Sequence, residues 1–141
     1  MSVTSSSLRL LIVDDLPEVA TVISRMLRRF ETVIAHSGNE ALELLENDMV
    51  DFVFSDIMMP GMSGVEFYLA ATERYPELSD RFAFVTGGVF AEVDLSPLIS
   101  MKRPIINKPV RRQQLLDVLH EVSPMPISPM TDPPITDPVV D

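Results

Sequence analysis

Between Leu8 and Val122, short apolar bursts alternate with amphipathic stretches five times. Leu8 to Val13 is a run rich in Leu, Ile and Val, which suits a strand covered on both faces. Leu16, Val19, Ala20, Ile23, Met26, Leu27 and Phe30 then recur at spacings of three and four. Glu18, Thr21, Arg25 and Arg28 fill the opposite side, so this stretch is an amphipathic helix. Pro17 falls where a first helical turn tolerates it. Thr32 to Ala35, Phe52 to Ser55, Phe82 to Val85 and Pro104 to Asn107 read as further strands. Ser37 with Glu40, and Ser63 with Glu66, have the spacing of capping boxes. They open a helix carrying Ala41, Leu42 and Leu45, and another running to about Tyr75. A last helix starts near Arg111 and buries Leu115, Val118, Leu119 and Val122. Between Thr86 and Pro104 the pattern weakens. Val89 to Val93 reads at most as a helical turn, and Pro97 interrupts any long helix there.

Strands separated by helices imply parallel pairing, right-handed crossovers and helices on both faces. The expectation is a doubly wound α/β domain over residues 8–122, with its ligand site at the carboxyl ends of the strands. Residues 1–7 are small and polar, a flexible start with no basic-then-apolar signal pattern. Residues 123–141 hold six of the 12 prolines, three aspartates and no lysine or arginine, and read as a disordered or extended tail.

Charge narrows the partners. A net charge of −10 repels phosphate backbones, so nucleic acid is not an expected ligand, whereas cations are. No apolar run approaches the roughly 20 residues of a membrane span. The absence of cysteine excludes a disulfide framework and thiolate metal sites, and fits a cytoplasmic location. The paired arginines Arg28–Arg29 and Arg111–Arg112 read as solvated helix ends, with a docking contact as the alternative.

The strand ends carry the chemistry. The first strand ends in Asp14–Asp15, the third in Asp56, the fourth in Thr86 and the fifth in Lys108. In a parallel sheet these ends share one edge. Two carboxylates about 4 Å apart repel by roughly 4 kcal/mol at an effective dielectric of about 20. A cation answers that repulsion, or else a pKa rises. Magnesium prefers oxygen ligands and typically takes one or two carboxylates, waters and a phosphate. Asp15 and Asp56 are assigned as direct ligands, with the backbone carbonyl of Met58 completing the set and Asp14 acting through water or orienting the shell. A carboxylate is also a nucleophile towards phosphorus. Phosphoryl transfer needs positioning and charge neutralisation, which Mg2+, the Lys108 ammonium, the Thr86 hydroxyl and backbone amides after Asp56 can supply. Taken singly, each residue has a plainer reading: a cap, a turn residue or a surface lysine. The conjunction of four strand ends carries the argument. His36 and His120 read as ordinary element-end residues.

With these residues in place, the sequence resembles the receiver domain of bacterial response regulators. The matching segments are Leu-Ile-Val-Asp-Asp (11–15), Ser-Asp-Ile-Met-Met-Pro-Gly-Met-Ser-Gly (55–64), Val-Thr-Gly-Gly (85–88) and Asn-Lys-Pro-Val (107–110). The Thr-Gly-Gly variant is similar to receivers attached to hybrid histidine kinases. The resemblance implies a flavodoxin-like sheet of order 2-1-3-4-5 with five helices, and a cis bond at Lys108–Pro109. It also implies phosphorylation of Asp56 by a histidine kinase or phosphotransfer protein, docked on the first helix and the loop after Lys108. Two departures stand out: Ile105 replaces the usual switch aromatic, and Pro97 lies where a fourth helix runs. Output is expected through protein contact, and dimerisation is left open. Two rivals remain. A haloacid-dehalogenase-type phosphatase would need Asp-x-Asp on the first strand, where this chain has an adjacent pair. A receiver-like interaction module would no longer accept phosphate.

Overall fold

Odd and even strand positions separate onto two faces, as the two-residue repeat of a strand requires. The computed structural model describes residues 8–87 and 93–122. Its strands are β1 (Arg9–Val13), β2 (Glu31–Ala35), β3 (Phe52–Asp56), β4 (Phe82–Thr86) and β5 (Ile105–Asn107). They form one parallel sheet of order β2-β1-β3-β4-β5, the expected topology. The helices are α1 (Pro17–Met26), α2 (Gly38–Asn47), α3 (Gly64–Arg74), α4 (Ser96–Ser100) and α5 (Arg112–Val122). Leu10, Ile12, Phe52, Phe54, Ala83 and Val85 face α1 and α5, where Ala20, Ile23, Leu27, Leu115 and Leu119 cover them. Leu11, Val13, Val53, Phe82 and Phe84 face the other side, under Phe67, Tyr68 and Leu98. Burial on both faces explains why these strands read as continuous apolar runs.

The boundaries show where local signals prevailed. Pro17 opens α1 as expected, but Leu16 is the N-cap residue and is 47% exposed instead of belonging to the buried stripe. The apolar spacing runs on to Phe30, yet α1 ends at Met26; Leu27 and Phe30 are buried from the turn that follows. Ser63 and Glu66 make the full reciprocal capping box. Ser37 makes half of one. Its hydroxyl accepts the Glu40 N–H at 3.0 Å, while the Glu40 carboxylate accepts the N–H of His36, one residue earlier, at 2.8 Å. Pro97 sits in the first turn of α4, where its missing N–H costs nothing, and α4 spans only five residues. The helical turn read over Val89 to Val93 lies almost wholly outside the described residues, as do both terminal segments. Among the described residues, no helix is long and apolar enough to cross a membrane.

Candidate phosphoacceptor site

Strand register builds the site. Val13 pairs with Ser55, Asp56 with Val85, and Thr86 with Asn107. The residue one step beyond β1 therefore lies level with the last residue of β3, and the residue one step beyond β5 lies one step past the last residue of β4, all at the carboxyl edge of the sheet. Asp14, Asp15, Asp56, Thr86 and Lys108 all belong to that edge, although 94 positions separate Asp14 from Lys108.

Carboxylate oxygens of Asp14, Asp15 and Asp56 lie within 4.8 Å of one another. Asp14 and Asp56 are buried, at 1% and 5% exposure, and Asp15 is half-buried. Lys108 Nζ stands 3.2 Å from Asp14 Oδ2 and 3.6 Å from Asp56 Oδ2. One ammonium thus faces two of the three acids, Asp14 and Asp56. The Asp14 carboxylate has two duties, since its Oδ1 accepts the Leu16 N–H at 3.0 Å and shapes the entry to α1, which has no side-chain cap. Asp56 Oδ1 accepts the Ile57 N–H at 2.8 Å, and the Met58 N–H also supports that carboxylate. Burial, and then the charge of Asp14, push the Asp56 pKa up to about 6; Lys108 and the two amides oppose the rise. The repulsion expected from the sequence is present, but desolvation is the larger cause.

Thr86 is fully buried, and its Oγ1 has no hydrogen-bond partner among the described residues. A buried hydroxyl without a partner is costly, and it points to a ligand acceptor. Three acids and one amine, with an unused donor beside them, fit a divalent cation and a phosphoryl oxygen. The carboxylates of Asp14, Asp15 and Asp56 could hold such a cation.

Two supporting residues escaped sequence reasoning. A Cβ on Gly64 would collide with the Asp56 carbonyl oxygen, and the Gly64 N–H donates to the Ile57 carbonyl at 2.8 Å. The start of α3 is thereby pressed against the backbone that presents Asp56. The Ser55 hydroxyl donates to the same Asp56 carbonyl at 2.8 Å. Gly64 stood inside the motif at 55–64, but its close approach is a tertiary fact. The peptide bond Lys108–Pro109 is cis.

Comparison with known proteins decides the family. A profile of the response regulator receiver domain matches residues 10–120. The chain belongs to the response regulator receiver family. This receiver is 30% identical over 121 residues to the response regulator receiver protein CpdR of Brucella abortus, covering 83% of the chain and 95% of that relative. It spans only 26% of the length of some other curated relatives it matches, among them the heme response regulator HssR of Staphylococcus saprophyticus. A CheY-like receiver domain protein from Methanospirillum hungatei superposes with a TM-score of 0.72 at 28% identity, covering 82% of this chain and 92% of that one. Response regulator protein TrrA from Thermotoga maritima, solved in complex with Mg(2+)-BeF, gives 0.70 at 25% identity over 81% of this receiver and 97% of its own chain.

Proposed function

We propose that this receiver takes a phosphoryl group from a phosphohistidine donor onto Asp56, with Mg2+, and signals through a change of conformation. One observation carries the reading: three carboxylates converge within 4.8 Å beside a single lysine and a buried hydroxyl that has no partner among the described residues.

Bound magnesium would supply charge neutralisation for the acids and for the incoming phosphoryl oxygens. Asp56 is the nucleophile, and we take Oδ2 as the attacking atom because Oδ1 already accepts the Ile57 N–H. Its bond to phosphorus forms as the donor's P–N bond breaks, and the leaving imidazole stays on the donor. Lys108 balances the new charge from the other side, and the Thr86 hydroxyl donates to a phosphoryl oxygen. At neutral pH a group with a pKa of about 6 is mostly ionised and ready to attack. The donor docks on the apolar groove between α1 and Pro109–Val110, which opens beside Lys108. The chain's own chemistry is limited to this phosphorylation and its reversal.

Switching must work without a ring at position 105. Ile105 is half-buried against the α2–α4 side of the core, along with Val93 and Leu95. Recruitment of the Thr86 hydroxyl by the phosphoryl group would pull the Gly87–Gly88 loop and shift the α4 region. Phosphorylation should therefore move amide shifts across residues 86–106; unchanged shifts there would refute this route.

Intact mass after incubation with acetyl phosphate and magnesium tests the main claim. One added phosphoryl group is expected, absent in Asp56→Asn and strongly diminished without the metal. An unmodified mass for the wild-type chain would leave the interaction-module reading standing.

A further inference from the structure

The groove beside α1 is open and apolar, with one acid and one base among its lining residues. It encloses about 410 Å³ between Val19, Val22, Ile23 and Met26 on one wall and Pro109 and Val110 on the other, with Glu18 and Lys108 at its polar margin. Val22, on its lip, is 43% exposed. Although the chain carries a net charge of −10, six of its 11 basic residues lie on or next to α1 and α5, against the three acids Glu18, Asp117 and Glu121 on those helices. Arg25, Arg28 and Arg29 lie on α1 and the turn that ends it; Lys108, Arg111 and Arg112 lead into α5. The Arg112 Nε donates to the Met26 carbonyl at 3.0 Å and ties the start of α5 to the end of α1.

The last 19 residues have the complementary chemistry. From Ser123 onwards the chain carries Asp132, Asp137 and Asp141, no lysine or arginine, and the apolar residues Ile127, Met130 and Ile135 set among prolines. A proline-rich strand loses little conformational entropy on docking, since its backbone is already restricted. Reach is sufficient. Helix α5 has 11 residues and so measures about 16 Å. The eight residues that follow Val122, up to Met130, span roughly 25 Å at about 3.1 Å each in an extended form. That is enough to run back along α5 to Val110.

We propose that the segment from Ile127 to Ile135 docks in cis into the groove between α1 and Pro109–Val110. Ile127 and Met130 pack on Val22 and Met26, and the tail aspartates face the arginines around it. Tethering gives the segment a high local concentration, so even weak contacts populate the docked state. The docked tail occupies the surface we assign to the phosphodonor, and so slows phosphotransfer from a protein donor while leaving small phosphodonors unaffected. The docking itself needs no assumption about Asp56.

The chain contains no cysteine, so Ser128→Cys in the full chain accepts a single nitroxide label. The expected result is loss of amide intensity at Val22, Met26 and Val110, with Leu69 and Ile99 unaffected. Adding Val22→Asp, an exposed position that leaves the core intact, should restore the lost signals. Intensity retained throughout the groove, or lost instead at Leu69 and Ile99, would overturn the proposal. So would loss at Val22 in an isotope-enriched, unlabelled chain mixed with labelled chain of natural abundance, which would assign the groove to a second copy.

Discussion

The two edges of the sheet both gather charge, and they treat it in opposite ways. At the amino edge, Arg9 reaches Glu31 and Asp48 at 3.5 Å each, and Asp51 accepts the Arg9 backbone N–H at 2.8 Å. Arg81 donates to the Asp51 carbonyl from the side. The acids that pair with Arg9 there are half open to water, with Glu31 and Asp48 side chains 59% and 46% exposed. At the carboxyl edge three acids cluster, and the two buried ones, Asp14 and Asp56, share one lysine. Charge density does not distinguish the edges; burial and imbalance do. Solvated ion pairs are worth about 0–1 kcal/mol and mark a surface. A buried excess of one sign is tolerated because something else completes it.

The largest test of this contrast is mechanical. Gly64→Ala drives a methyl into the Asp56 carbonyl, and backbone, unlike a flexible side chain, yields at high cost. Overpacking of this kind should lower stability by about 3 kcal/mol in urea unfolding. The phosphorylation yield should fall with it as Asp56 is displaced. A wild-type yield with an unchanged midpoint would show that the α3 start does not hold the site.

Next comes removal of one cation from each edge. Lys108→Ala leaves two buried carboxylates unbalanced, and at neutral pH without magnesium it should cost about 2–3 kcal/mol, tempered by proton uptake. Arg9→Ala breaks exposed pairs and should cost at most about 1 kcal/mol. Equal costs would remove the distinction between the edges. Lys108→Ala should also retain some phosphorylation but lose the associated shift changes over residues 86–106.

The last effect is a gain. The Asp56 pKa is raised in the folded chain from 3.8 to about 6. Its ionisation therefore weakens the fold: stability is full where both states are protonated, below about pH 4, and declines as pH rises towards 6. In metal-free buffer, Asp56→Asn should melt higher than wild type at pH 7.5, and the difference should shrink below pH 6 and vanish near pH 4. Magnesium should narrow the gap at pH 7.5 by stabilising the wild type alone. A gap independent of pH would place the strain elsewhere.

Much of this was legible along the chain. The apolar runs of β1, β3 and β4 are covered on both faces, so their periodicity had one interpretation, and the acids and hydroxyl at their ends had to share an edge. Helix ends were less legible. The stripe of α1 continues to Phe30 because burial does not require a helix, and Leu16 fits the spacing while serving as a cap. For α4 the proline carried two readings, an interruption or a start, and nothing local chose between them.

The amino-acid sequence by itself determined the order of elements, the position of each acid, hydroxyl and amine, and the family, because these follow from short-range periodicity and residue chemistry. Tertiary structure alone decided which charge meets which: Lys108 lies nearer Asp14 than Asp56, Thr86 is left without a partner among the described residues, and Gly64 touches the Asp56 backbone. Those outcomes depend on register and on sub-ångström approach between segments far apart in the chain, and no local pattern encodes such distances.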